Sequence, residues 1–179
     1  MYRKTCSILF CMAILTGCLR QHAYKFPMDV RNLPPAQIGS CHAHDDLPDS
    51  GCTPGATNSA VTQENIQSTI CTRRYTTGIR PPGSYTNPLK ERQIQEYGYQ
   101  DTNLSDYEED HFISLEIGGS PTDPKNLWPE AYAPKPGAHE KDQVENYIHR
   151  QVCSGAMTLA EAQRTITGNW LEVYKRIDH

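Results

Sequence analysis

The sequence predicts an α+β fold: a small, mostly helical domain built around one β-hairpin and the helix that follows it. Three observations carry this. The run Asp110-His111-Phe112-Ile113-Ser114-Leu115-Glu116-Ile117 suits a strand covered on both faces. A dense turn signal, Gly118-Gly119-Ser120-Pro121-Thr122-Asp123-Pro124, separates it from a short return strand, Asn126-Leu127-Trp128, expected to stop at Pro129. Residues 138–152 then repeat Val144, Ile148 and Val152 at four-residue spacing. Lys141, Asp142, Glu145 and Arg150 take the other faces, and Gly155 closes the helix.

The remaining elements are helical. Thr62 is placed to cap a short helix whose inward residues are Ile66 and Ile70. Residues 88–97 read as a helix with Leu89, Ile94 and Tyr97 inward, ended by Gly98. Thr158, with Glu161 three residues on, predicts the start of a helix over 159–166, followed by a turn carrying Trp170, Val173 and Tyr174. Trp128 and Trp170 are expected as core aromatics.

The beginning of the chain has the pattern of an export signal. Arg3 and Lys4 precede an apolar run over residues 7–15 that is too short to span a bilayer comfortably. Leu15-Thr16-Gly17-Cys18 resembles the lipobox of bacterial lipoproteins. That resemblance implies lipid on Cys18 and a membrane tether, with a plain cleaved signal as the alternative. The expected division is therefore a signal peptide with lipobox over 1–18, a Pro/Gly-rich flexible tether over 19–50, and a folded domain over 51–179. The destination is periplasmic or membrane-anchored, or secreted.

Export changes how the seven cysteines are read. Setting aside Cys6, Cys11 and Cys18 leaves Cys41, Cys52, Cys71 and Cys153, an even set suited to disulfides. Four cysteines allow three pairings. The favoured one joins Cys71 to Cys153, tying an early segment to the main helix, and Cys41 to Cys52, closing a short loop. Cys41-His42-Ala43-His44 offers a competing metal reading. The formal charge is −4, and loss of two cations with the signal takes it to about −6. A nucleic-acid enzyme then needs a local basic patch, for which Arg73, Arg74, Arg80, Lys90 and Arg92 are candidates.

Within the hairpin and helix stand Glu108-Glu109-Asp110-His111, Asn126 and His139. Phosphodiester hydrolysis needs a base to take a proton from water and a cation to stabilise charge on the phosphate. The ordered set Glu109-Asp110-His111, Leu115-Glu116-Ile117-Gly118-Gly119, Asn126-Leu127-Trp128-Pro129, Lys141-Asp142-Gln143-Val144-Glu145 and Val152-Cys153 resembles the HNH, or ββα-metal, nucleases. It is most similar to small exported or phage-borne members, over roughly residues 52–175. The resemblance implies a ββα-metal hairpin-helix core and endonuclease activity on DNA or RNA. It implies His111 as general base, Asn126 as the residue shaping the loop and orienting the base, and Asp110 and His139 as ligands of a divalent ion (Mg, Mn or Zn). Asp142 and Glu145 share the helix with His139 and could act in its place.

The expected partners are a nucleic-acid substrate and, through Cys18, a membrane; no protein partner is expected. Two other classes stay open. One is a catalytically inactive HNH-fold lipoprotein with a binding or structural role. The other is a glycan hydrolase using Glu108 and Glu116.

Overall fold

The computed structural model describes residues 29–44 and 46–177. The expected signal peptide, the lipobox at Cys18 and the first part of the tether lie outside the described residues. The fold is mixed helix and strand. Strand β1 (Tyr107–His111) pairs antiparallel with β2 (Leu127–Ala131). Among the described residues four helices surround the hairpin: α1 (Tyr75–Ile79), α2 (Gly83–Glu96), α3 (Ala138–Ser154) and α4 (Leu159–Tyr174).

The first strand differs from expectation. It occupies the charged Tyr-Glu-Glu-Asp-His stretch and ends at His111, whereas the apolar run after it turns away. Ser114 accepts a hydrogen bond from the Glu116 amide and opens a 3₁₀ turn over Leu115–Ile117. Phe112, Ile113, Leu115 and Ile117 are all buried nevertheless. The sequence pattern therefore reported burial correctly and conformation wrongly, because a tight turn buried by α3 and α4 produces the same apolar run as a covered strand.

Strand β2 also runs on past Pro129, to Ala131. Phe112 donates to the Asn126 carbonyl (2.9 Å) and Tyr132 to the Asp106 carbonyl (3.0 Å). These fix the hydrogen-bonded pairs at even positions, so Pro129, opposite Glu109, sits between them. Its nitrogen faces the outer edge and no ladder bond is lost.

Helix α2 begins five residues earlier than expected and carries Pro88 inside it. Tyr85, Leu89, Gln93 and Ile94 face inward, and Gln93 Nε2 donates to the Leu127 carbonyl (2.7 Å), holding the helix to β2. On the far side, Val144, Ile148 and Val152 of α3 are fully buried against Leu159, Ala162, Ile166 and Trp170 of α4. Thr158 and Glu161 form the expected reciprocal cap. Helix α4 continues to Tyr174 through a kink at Asn169, which brings Trp170 into the core. The expected helix after Thr62 is a 3₁₀ turn, Gln63–Ser68.

The packed chain starts ahead of Cys52. Val30 is buried with Tyr85, Leu89 and Leu127, and Cys41 with Tyr97, Phe112 and Trp128. The amides of Gly39 and Cys41 donate to the carbonyls of Gln95 and Glu96 (3.0 Å each), stitching this segment to the end of α2. Trp170 Nε1 donates to the Asp46 carbonyl (3.1 Å).

Two disulfides, Cys41–Cys52 and Cys71–Cys153, join the cysteines in the favoured pairing. They fit an oxidising, extracellular-type environment. No helix among the described residues is long and apolar enough to cross a membrane. Cys71–Cys153 spans 82 positions and Cys41–Cys52 only 11. On loop-closure entropy, Cys71→Ser with Cys153→Ser is expected to cost about 4–5 kcal/mol, and the matching pair at 41 and 52 about 3. Urea unfolding of the two double variants checks the order.

Candidate functional site

Opposed residues of an antiparallel pair share a face, and neighbours along a strand point to opposite faces. Glu108 and Asp110 therefore share one face of the hairpin with Trp128 and Glu130, and His111 points to the other. Helix α3 lies over the first face and contributes Lys141. The Lys141 side chain is 1% exposed, and its Nζ donates to Asp110 Oδ2 (2.6 Å), to Glu145 Oε1 and to the His111 carbonyl (3.3 Å). Glu130 Oε2 lies 4.0 Å away. Burial works against the ammonium. Asp110, Glu145 and Glu130 outweigh it and hold Lys141 well above the ordinary lysine range. Burial pushes Glu145 up to about 7 despite Lys141, and holds Glu130 well above the usual carboxylate range.

His111 is buried at the end of β1, with Nε2 3.1 Å from the Pro121 carbonyl. A carbonyl only accepts, so Nε2 carries the proton and Nδ1 keeps its lone pair. Burial lowers the imidazole to about 4. Asp110 and the Pro121 carbonyl oppose that shift, while Arg80 and Lys141 add to it. The ring is neutral at physiological pH, the form able to accept a proton.

Asn126 is fully buried and braces the loop that supplies Pro121. Its Oδ1 accepts from the Ile113 amide (2.9 Å) and the Ala56 amide (3.3 Å). Its Nδ2 donates to the Ile113 carbonyl (3.0 Å) and the Ser120 carbonyl (2.9 Å). The glycine pair serves the same loop. Gly118 has φ +78, and a Cβ on Gly119 would stand 1.7 Å from the Ile113 carbonyl oxygen.

His139, the second residue of α3, is exposed and stacks on Tyr132 with ring centroids 4.6 Å apart. Its neighbour Glu140 folds back onto the Gly137 amide (3.0 Å) and pairs with Lys135. Around the mouth of the Asp110 face lie Glu108 and Asp142, both raised by burial and by Asp110 and both eased by Arg80 and Lys141.

The structure thus assembles Asp110 with Lys141 and Glu145, and His111 with Pro121. His139 stays on the surface. The fit of a divalent ion can be judged from these donors. Asp110 already binds an ammonium through Oδ2, and among the described residues no group of three possible ligand atoms includes Asp110 or His139. As arranged, the centre fits an ammonium and not a metal ion. Cys71, His149 and Cys153 do bring ligand atoms within 4.8 Å of one another, but both sulfurs are joined in the disulfide.

Glu116 is 3.8 Å from His149 Nδ1, far in company from Glu108, so the two carboxylates of the glycan reading have separate surroundings. Cys41 of the Cys-His-Ala-His cluster is in a disulfide. Of the basic candidates, Lys90 caps the Leu104 and Tyr107 carbonyls (2.7 Å each) and Arg92 pairs with Glu96 (2.7 Å), while Arg73, Arg74 and Arg80 are exposed.

The sequence pattern places Lys141 on an outer face of its helix and gives Glu130 no distinguishing mark. The available signal was Lys141-x-x-x-Glu145 set against three consecutive acids in β1. No protein-family model matches the chain, and no match emerges among curated proteins or solved structures.

Two outcomes follow from this geometry. Asn126→Ala leaves one buried and one part-buried backbone amide and two carbonyls without their partner, and is expected to cost about 3 kcal/mol or more in urea unfolding. His111 is neutral when folded down to about pH 4 but ordinary, near 6.5, when unfolded. Between those values the unfolded chain binds the extra proton, so the His111 contribution is fully present above pH 6.5. It is lost as pH falls towards 4, by about 3 kcal/mol in all. Comparing wild type with His111→Asn across pH 4–7 should show that slope vanish in the variant.

Proposed function

We propose that the chain is an exported phosphodiester hydrolase of the HNH-like type, an endonuclease acting on DNA or RNA, with His111 as its general base. The observation that carries this reading is the neutral imidazole fixed by the Pro121 carbonyl, with Nδ1 left unprotonated at the end of a hairpin braced by Asn126. A base must be unprotonated and held in one orientation before substrate arrives, and this arrangement supplies both conditions. His111 would take the proton of the attacking water or hydroxyl on Nδ1. Arg80, exposed and close enough for its charge to act on both His111 and Glu108, would meet the phosphate. Lys141 would act from within, holding the hairpin against α3. Export belongs to the same proposal and is supported by the two disulfides; a lipid on Cys18 rests on the lipobox-like Leu15-Thr16-Gly17-Cys18 alone.

A specific observation favours a second reading, an HNH-like fold with a binding or structural role and no turnover. The carboxylate expected to hold the metal is committed to Lys141.

Cleavage of supercoiled plasmid and of single-stranded RNA, measured with EDTA and with added Mg, Mn or Zn ions, separates the two. The nuclease reading expects cleavage that falls about 100-fold or more in His111→Ala with an unchanged circular dichroism spectrum. Equal activity in that variant would remove His111 from the chemistry, and no cleavage under any condition would leave the second reading.

A further inference from the structure

Three elements deliver one carboxyl group each to a single buried point: Asp110 from β1, Glu130 from β2 and Glu145 from α3. This is the donor chemistry that hard divalent ions use. Lys141 Nζ stands at that point. An ammonium has three N–H groups, and all three have acceptors here: Asp110 Oδ2, Glu145 Oε1 and the His111 carbonyl. The lysine therefore has no donor left over and no spare charge. Moving it out would leave buried carboxylates without a counter-charge, a costly arrangement.

We infer that Lys141 is the resident cation of this centre, and that the folded protein neither holds nor requires a divalent metal at Asp110. A metal ion could replace the ammonium only if these side chains moved, because as placed the three carboxyl groups do not bring their ligand atoms within 4.8 Å of one another. The site is built to completion by the chain itself. Glu130 also lines a cavity of about 220 Å³ with Tyr99, Trp128 and Gly137. The inference concerns the same centre as the proposed hydrolase but rests on the ion cluster, so it stands or falls by metal binding and stability and not by cleavage.

The test uses the full chain with its disulfides intact, stripped with EDTA and titrated with Mn²⁺ and Ca²⁺ by calorimetry and by thermal unfolding. Wild type is expected to show no ion binding that depends on Asp110, and a Tm unchanged within about 1 °C by EDTA or by millimolar ion. Lys141→Met is expected to unfold at least about 10 °C lower, to regain several degrees in millimolar Mn²⁺ or Ca²⁺, and to lose that recovery when Asp110→Asn is added. If Lys141→Met does not fold, the wild-type arm decides alone. Sub-millimolar Mn²⁺ binding to wild type that disappears in Asp110→Asn overturns the inference. So does a Lys141→Met protein as stable as wild type and indifferent to ions. Loss of all nuclease activity in every sample would count against the proposed function and leave these results untouched.

Discussion

The contact between Lys141 and Asp110 joins the two halves of the domain. One half is the hairpin with α2 and the N-terminal segment behind it; the other is the α3–α4 pair with its aliphatic core. Apolar packing also crosses between them, with Ile113 and Ile117 of the connection after β1 buried against α3 and α4. Across the seam between β1 and α3, the central polar contact is an ammonium at 1% exposure held by carboxylates and a backbone carbonyl. A buried ion pair of this kind adds little net stability over an apolar substitute, but it is unforgiving of misplacement, because each charge left alone in the interior is heavily penalised. It therefore fixes the register of α3 on the hairpin more sharply than interchangeable aliphatic contacts would.

That arrangement also explains why His111 and Asp110, neighbours in sequence, have separate surroundings. The pleat sends Asp110 to the helix side and His111 to the loop side, where the chain after Gly119 returns with the Pro121 carbonyl. The loop can pass that close because residue 119 has no side chain and because Asn126 satisfies its backbone groups. The imidazole is thus positioned by main chain, and the charged cluster beneath it acts through its field.

Legibility in the sequence followed the kind of force at work. The apolar stripe of α3 and the Thr158–Glu161 cap were readable because periodicity and capping are local properties. That the four cysteines form disulfides was legible from compartment, whereas sequence alone does not choose among the three pairings, and the favoured one is the one the fold adopts. Strand β1 was not readable: Glu108, Glu109 and Asp110 have low strand propensity, and their place in a ladder is imposed by Lys141, Lys90 and the return strand. The first turn of α2 is not legible because Pro88 reads as the beginning of a helix, whereas it sits within α2. At the candidate site, the residue types were legible but their partners were not. Nothing local distinguishes a helix lysine that reaches solvent from one that reaches across to a neighbouring strand, and only the three-dimensional meeting of β1, β2 and α3 decides it.

The early onset of packing has a consequence for where the domain can be. Val30 is already part of the interior, and only twelve positions separate it from Cys18. Were acyl chains attached there, even a fully stretched leash would be about 40 Å long. The globule would then be confined to a thin layer beside the bilayer, so it would meet long polymers only where they come within a few nanometres of the lipid surface.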